Sequence, residues 1–236
     1  MEKHNRHALA LKAAFPHTIP IMAGFLFLGI TYGIYMNVSG FGFIYPILTS
    51  IVIFAGAMEF VTVNLLLGAF DPLQAFIMTL MVNARHLFYG LAVLEKYRIP
   101  GLKRLYLIFG MCDESFSINC SAEPPEGVDK GLFMFFVTLL NQIYWVVGCA
   151  LGGIFGSLLS FNTEGLDFAM TAMFVVIFLE NWLKDKNRIS PLVGLIVTLL
   201  CRVLFGAGNF VIPSMIAMMG VLTLLRRPIE KAGEAI

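Results

Sequence analysis

Apolar residues run along this chain in blocks separated by short polar or glycine-rich breaks. The blocks cover residues 15–36, 46–68, 72–94, 105–120, 131–159, 166–183, 191–205 and 210–225. A helix of ~20 apolar residues, rising ~1.5 Å per residue, crosses the ~30 Å hydrocarbon layer of a bilayer. Most of these blocks fit that length. The pattern therefore predicts an all-α, polytopic integral membrane protein with about seven or eight membrane segments, some of them broken or re-entrant. The block 105–120 barely spans and is interrupted by Asp113, Glu114, Ser115 and Ser117. It reads as a half-helix or cavity-lining helix.

Local signals refine the pattern. Residues 1–14 carry Lys3, Arg6 and Lys12 and read as a short cytoplasmic tail or an interfacial helix. The first segment holds Pro16, Pro20 and the pair Gly29/Gly33, and the fifth holds Gly148, Gly152 and Gly156. Small residues at four-residue spacing let a neighbouring helix approach closely. Segment 46–68 is read as one helix, in which Gly56 permits a close contact or a local break. Pro72–Leu80 matches Pro191–Leu199 at five of nine positions, about half the chain apart. The expected organisation is one membrane-embedded domain, 1–236, with repeat halves at about 13–120 and 131–226.

Composition agrees. The chain is 58% hydrophobic and 13% charged, with a net charge of +1. Soluble domains average about 25% charged residues. The balance offers no broad basic face for nucleic acid. Cys112, Cys120, Cys149 and Cys201 sit in or beside apolar blocks without metal-ligand spacing and read as small buried hydrophobes. No cleavable leader is expected, because the first apolar block is longer than a signal core. Placing the N-terminus, residues 184–188 and Arg226–Arg227 inside works with eight crossings. That count leaves the basic connector 96–104 outside, against the positive-inside tendency.

The ionisable residues inside the apolar blocks carry the chemistry. Arg85 lies ~18 Å of helix beyond Leu73, near mid-membrane if the block is one span. A guanidinium there costs roughly 2.5–3.5 kcal/mol without a partner, water or a cavity. Glu59, Asn83, His86, Asp113, Glu114 and Arg202 share such surroundings. Thr79, Asn83, His86 and Gly90 form one stripe of the third segment, and Met81, Arg85 and Tyr89 another. Two polar stripes imply a helix enclosed by protein or broken near Arg85. An ion pair that fixes helix register is one reading of Arg85, and a transport pathway is the other. Glu59 reads as a helix-packing hydrogen bonder or as a proton carrier. Glu180, near Lys184, reads as interfacial. Glu59, Asn83, Arg85, Tyr89 and Asp113 are the candidate binding residues. Glu59, His86, Asp113 and Glu114 are the candidates for proton coupling. No HExxH, GxSxG or phosphate-loop pattern marks an enzyme, and no metal or cofactor is expected.

Three segments, Phe-Ala-Gly-Ala-Met-Glu-Phe (54–60), Asn-Ala-Arg-His-Leu-Phe-Tyr-Gly (83–90) and Asp-Glu-Ser-Phe (113–116), resemble the AzlC family. These are the large subunits of bacterial branched-chain amino acid exporters. The resemblance implies an inner-membrane permease with a small AzlD-like membrane partner. It implies export of leucine, isoleucine and valine, driven by the proton gradient. A channel-like pore and a non-transporting membrane scaffold are the alternatives the residues themselves leave open.

Overall fold

The structure is a computed structural model that describes residues 2–156, 165, 168, 171–172, 175, 178–179, 182–183, 188–206 and 210–225. It comprises two compact units, Met1–Met170 and Thr171–Ile236. Among the described residues every regular element is helical. Glu180, residues 184–187, Arg226 and Arg227 lie outside the described residues, as does most of 166–183.

The first unit is built on two long helices, α1 (Glu2–Val38) and α8 (Lys130–Phe155). Among the described residues these two are long and apolar enough to cross a membrane unaided. Residues 2–14 of the expected tail are part of α1, which continues through Pro16 and Pro20. Thr18 donates to the Phe15 carbonyl at 2.9 Å, beside the carbonyls the prolines leave unbonded. The glycine pairs find each other. A Cβ on Gly29 would lie 2.9 Å from the Cys149 nitrogen, and one on Gly33 would strike the Cys149 carbonyl oxygen. A Cβ on Gly148 would lie 2.9 Å from the Leu26 oxygen, and one on Gly152 would strike the Ile30 oxygen. Gly29 faces Gly148 and Asn37 faces Gly156, so α1 and α8 run parallel.

The segment expected as one helix over 46–68 is two. Helix α2 (Ile44–Val52) and α3 (Gly56–Leu67) are separated by a break at which Phe54 has φ +43°. A left-handed phenylalanine costs on the order of 1–3 kcal/mol, so the surroundings impose it. The pair forms a hairpin. Pro46 starts it beside Gly153 of α8, Phe54 reaches the level of Gly110 and Thr138, and Phe60 returns to Tyr32 and Tyr35 of α1.

Helix α4 (Pro72–Val82) starts at Asp71, whose carboxylate accepts the Gln74 N–H at 2.9 Å. It bends by 53° into α5 (Arg85–Val93). The third segment is therefore broken beside Arg85, and α4 has no buried residue. Helices α6 (Leu102–Phe109) and α7 (Asp113–Ser121) form a second hairpin across 105–120. Its two ends meet: Lys96, in the connector before α6, donates to the Cys120 carbonyl at the end of α7 at 2.5 Å. Ala14, Tyr97, Ile118 and Phe133 pack there in one cluster, at the N-terminal end of α8.

In the second unit, α9 (Ile189–Phe205) and α10 (Val211–Leu224) are short apolar helices. Arg202 is exposed in the last turn of α9. All four cysteines are free thiols, Cys149 and Cys201 buried and the other two half-buried.

Candidate functional site

The three segments singled out in the sequence each begin within or immediately after a helix break, at 53–55, 83–84 and 110–112. The breaks converge. A pocket of about 550 Å³ is lined by Ile53, Phe54 and Ala55 of the first, Asn83 and Ala84 of the second, and Met111 of the third. Thr79, His86 and Gly90, the remaining members of one predicted stripe, line it too. Its walls are otherwise apolar: Phe76, Leu80, Leu87, Ile108 and Phe109. Helices α3, α5 and α7 all begin at this junction. Helix N-termini present unbonded N–H groups and partial positive charge, which suits an anionic group.

The predicted polar residues divide into three groups around the pocket. Asn83 and His86 line it directly, and His86 Nδ1 lies 3.1 Å from the Asn83 carbonyl oxygen. The Asn83 side-chain oxygen is buried and has no hydrogen-bond partner among the described residues. Arg85 pairs with Asp113 at 3.2 Å, joining the N-terminus of α5 to that of α7. Asp113 suits its position at a helix start, whereas a cation there opposes the dipole and needs the carboxylate. Tyr89 stacks on Phe116 at 4.4 Å and meets His86 edge-on at 5.6 Å. Glu114 follows Asp113 in the first turn of α7, half-buried. Neither Arg85, Tyr89, Asp113 nor Glu114 lines the pocket.

Glu59 forms the third group. It is fully buried in the first turn of α3. One carboxylate oxygen, Oε1, accepts the Ala55 N–H at 3.1 Å and the Trp145 indole N–H at 2.9 Å. Oε2 has no partner among the described residues. Glu59 therefore touches the pocket only through Ala55, which it holds at the head of α3.

Several polar residues of α7 and α8 that hold the two hairpins were not predicted. Asn141 donates to Ser115 at 3.3 Å, Asn119 donates to Tyr97 at 2.9 Å, and Gln142 donates to the Ile51 carbonyl at 3.2 Å. The signal was present: Asn141 and Gln142 are adjacent amides at the middle of a 26-residue apolar helix. In hydrocarbon such groups need partners. Among the described residues no cluster of His, Cys, Asp or Glu is arranged to hold a metal ion.

In the second unit a pocket of about 480 Å³ is lined by Leu195, Thr198 and Leu199 of α9, with Phe178 and Met218 among its other walls. Those three positions lie 119 residues after Phe76, Thr79 and Leu80, the same offset that separates Pro72 from Pro191. Thr79 and Thr198 also make the same bond, to the carbonyl four residues back at 2.7 Å.

Comparison with known proteins gives a consistent picture. The family model described as AzlC protein matches residues 20–159, which contain all three breaks. The branched-chain amino acid transport protein AzlC of Bacillus subtilis is 62% identical over 98% of this chain and 91% of its own length. An uncharacterized membrane protein of Haemophilus influenzae is 46% identical over 100% of this chain and 99% of its own. One from Helicobacter pylori is 35% identical over 94% and 97%. No solved structure matches.

Proposed function

This chain belongs to the AzlC family, a family of transport proteins and not of enzymes, and on that premise we propose that it is a carrier for branched-chain amino acids. It works in the bacterial inner membrane as the large subunit of a two-component permease, exporting leucine, isoleucine and valine with the proton gradient. The observation that carries the reading is the pocket where three helix breaks meet. Broken helices that present their N-termini to an apolar cavity suit a zwitterion with an apolar side chain. The N-termini of α3 and α5 receive the substrate carboxylate. The unpartnered Asn83 oxygen receives its ammonium group, and Phe76, Leu80, Leu87 and Ile108 enclose its side chain. The Arg85–Asp113 ion pair, with Tyr89 beside it, forms a polar layer next to this pocket. Glu59, His86, Asp113 and Glu114 carry the coupled proton.

The hairpins support one membrane path. Each returns toward the end of the unit it left, so α1, the bent pair α4–α5 and α8 cross the bilayer, and the two hairpins enter it from opposite faces. An odd single crossing between α1 and α8 agrees with their parallel packing. The connector 96–104 then shares a face with Lys3, Arg6 and Lys12, which satisfies the positive-inside tendency that eight full crossings violate. Adding the apolar blocks 166–183, 191–205 and 210–225 of the sequence brings the count to eight membrane segments. The shared 119-residue offset, which also separates Gly29 from Gly148 and Gly33 from Gly152, supports the internal repeat.

The deciding experiment is counterflow of labelled leucine in proteoliposomes, with and without a small AzlD-type subunit. Exchange blocked by excess valine but not by lysine or glutamate is expected, and its absence in both preparations refutes the carrier reading. Leu87→Trp, which narrows the pocket, is expected to raise KM for leucine about tenfold, or ~1.4 kcal/mol. Glu59→Gln keeps an oxygen that accepts from Ala55 and Trp145 but removes the titratable proton. It is expected to keep exchange at equal pH and to lose accumulation driven by a pH gradient. Retained gradient-driven accumulation removes Glu59 from the coupling path.

A further inference from the structure

Gln142 joins the two hairpins at the depth where the pocket lies. Its side-chain nitrogen donates to the Ile51 carbonyl at 3.2 Å, one turn before the break at 53–55. Its side-chain oxygen accepts the Tyr106 hydroxyl at 2.6 Å, one turn before the break at 110–112. Ile51 ends the inward arm of the first hairpin and Tyr106 lies on the inward arm of the second. Ile53 and Phe54 line one wall of the pocket, and Ile108 and Phe109 another. One amide on the straight helix α8 therefore fixes both walls.

The chemistry suits the position. The last four carbonyls of a helix have no partner within it. In a bilayer an unbonded carbonyl is costly, so a break at mid-membrane needs a donor from elsewhere. Glutamine is long enough to reach across from α8, and it has a donor and an acceptor on one rigid plane. Tyr106 uses the acceptor side and thereby turns the donor side toward Ile51. Tyr106 is itself held by Phe135 of α8, with ring centroids 5.1 Å apart. The tips also touch directly, since a Cβ on Gly110 would lie 3.7 Å from the Phe54 ring.

We propose that Gln142 is a positioning residue that sets the spacing of the two hairpin tips, and through them the width of the substrate pocket, without touching substrate. The proposal rests on the carrier reading for its kinetic consequence and on the hydrogen bonds alone for its structural one.

Two measurements test it. In leucine counterflow, Gln142→Leu is expected to raise KM at least tenfold while the maximal rate per folded protein changes less than threefold. Tyr106→Phe, which frees the amide to rotate, is expected to raise KM about threefold. The second measurement needs no substrate. Spin labels at Val52 and Leu105, both exposed, report the distance between the hairpin arms in protein whose four native cysteines are replaced by serine. One narrow distance is expected with Gln142 present and a distribution broadened by several ångströms in Gln142→Leu. An unchanged distribution overturns the proposal, and so does an unchanged KM in variants that merely fold less well. Absence of saturable exchange in the unaltered protein refutes the carrier reading, and the label distances then decide the positioning role alone.

Discussion

Arg85→Ala is expected to reduce leucine exchange at least a hundredfold, a loss of about 2.7 kcal/mol at ~1.36 kcal/mol per decade. The reason lies in the pair with Asp113 at 3.2 Å, which joins the starts of α5 and α7. Removing the guanidinium leaves a carboxylate within an apolar block. Breaking a fully buried pair in this way costs about 3–5 kcal/mol. This pair keeps 30% and 26% of its side-chain surface exposed, so its stability cost is lower than that range. The double variant Arg85→Ala/Asp113→Ala is expected to recover thermal stability in detergent without recovering exchange. Arg85→Lys keeps the charge but loses the planar fork, and is expected to fall between. Counterflow and melting curves on the same preparations separate the two effects. Arg85→Ala with full exchange in inserted, folded protein removes Arg85 from the transport path and leaves it the role of fixing helix register.

Gly152→Leu is expected to eliminate the folded protein. A Cβ at this position meets the backbone of Ile30, which has no rotamer with which to yield. The clash forces α1 and α8 apart along the seam where Gly29, Gly33 and Gly148 also make backbone contact. Membrane helices associate largely through such close packing. Losses above ~4 kcal/mol are typical only of disruptions of this kind. Gly24→Ala is the control. It lies in α1, the helix that packs on α8, but nothing is within 4 Å of a Cβ there. Helix propensity alone favours alanine over glycine by ~1 kcal/mol, so this variant is expected to be as stable as the parent or more so. Size-exclusion profiles and melting temperatures in detergent check both. A Gly152→Leu protein that elutes and melts like the parent refutes the packing described for α1 and α8.

The two variants mark different limits of reading from sequence. The seam was half legible. Four-residue glycine spacing announced a close approach in segments 15–36 and 131–159, but partner choice is a non-local matter that spacing does not encode. The charged site was legible as residue types. Arg85 and Asp113 stood out because each is costly in hydrocarbon. An ion pair was one reading of Arg85, but which carboxylate it meets was not legible, since that depends on where two helix starts meet.

The sequence by itself determined that the chain is all-helical and membrane-bound, because backbone groups in hydrocarbon must be bonded within helices. It also placed ionisable residues inside apolar blocks, Glu59, Arg85, Asp113 and Glu114 among them, where each needs a partner. Only the tertiary structure decided that segment 46–68, read as one helix, folds back as two, and that 105–120, read as a half-helix, is a second hairpin. Hydropathy measures the environment of a segment, and a hairpin within the bilayer has the same environment as a crossing helix. The turn at Phe54 is set by tertiary packing, since nothing intrinsic to phenylalanine favours φ +43°. The same holds for Gln142. Its polarity was visible, but the Ile51 carbonyl and the Tyr106 hydroxyl it bridges were brought within reach of one amide only by the fold.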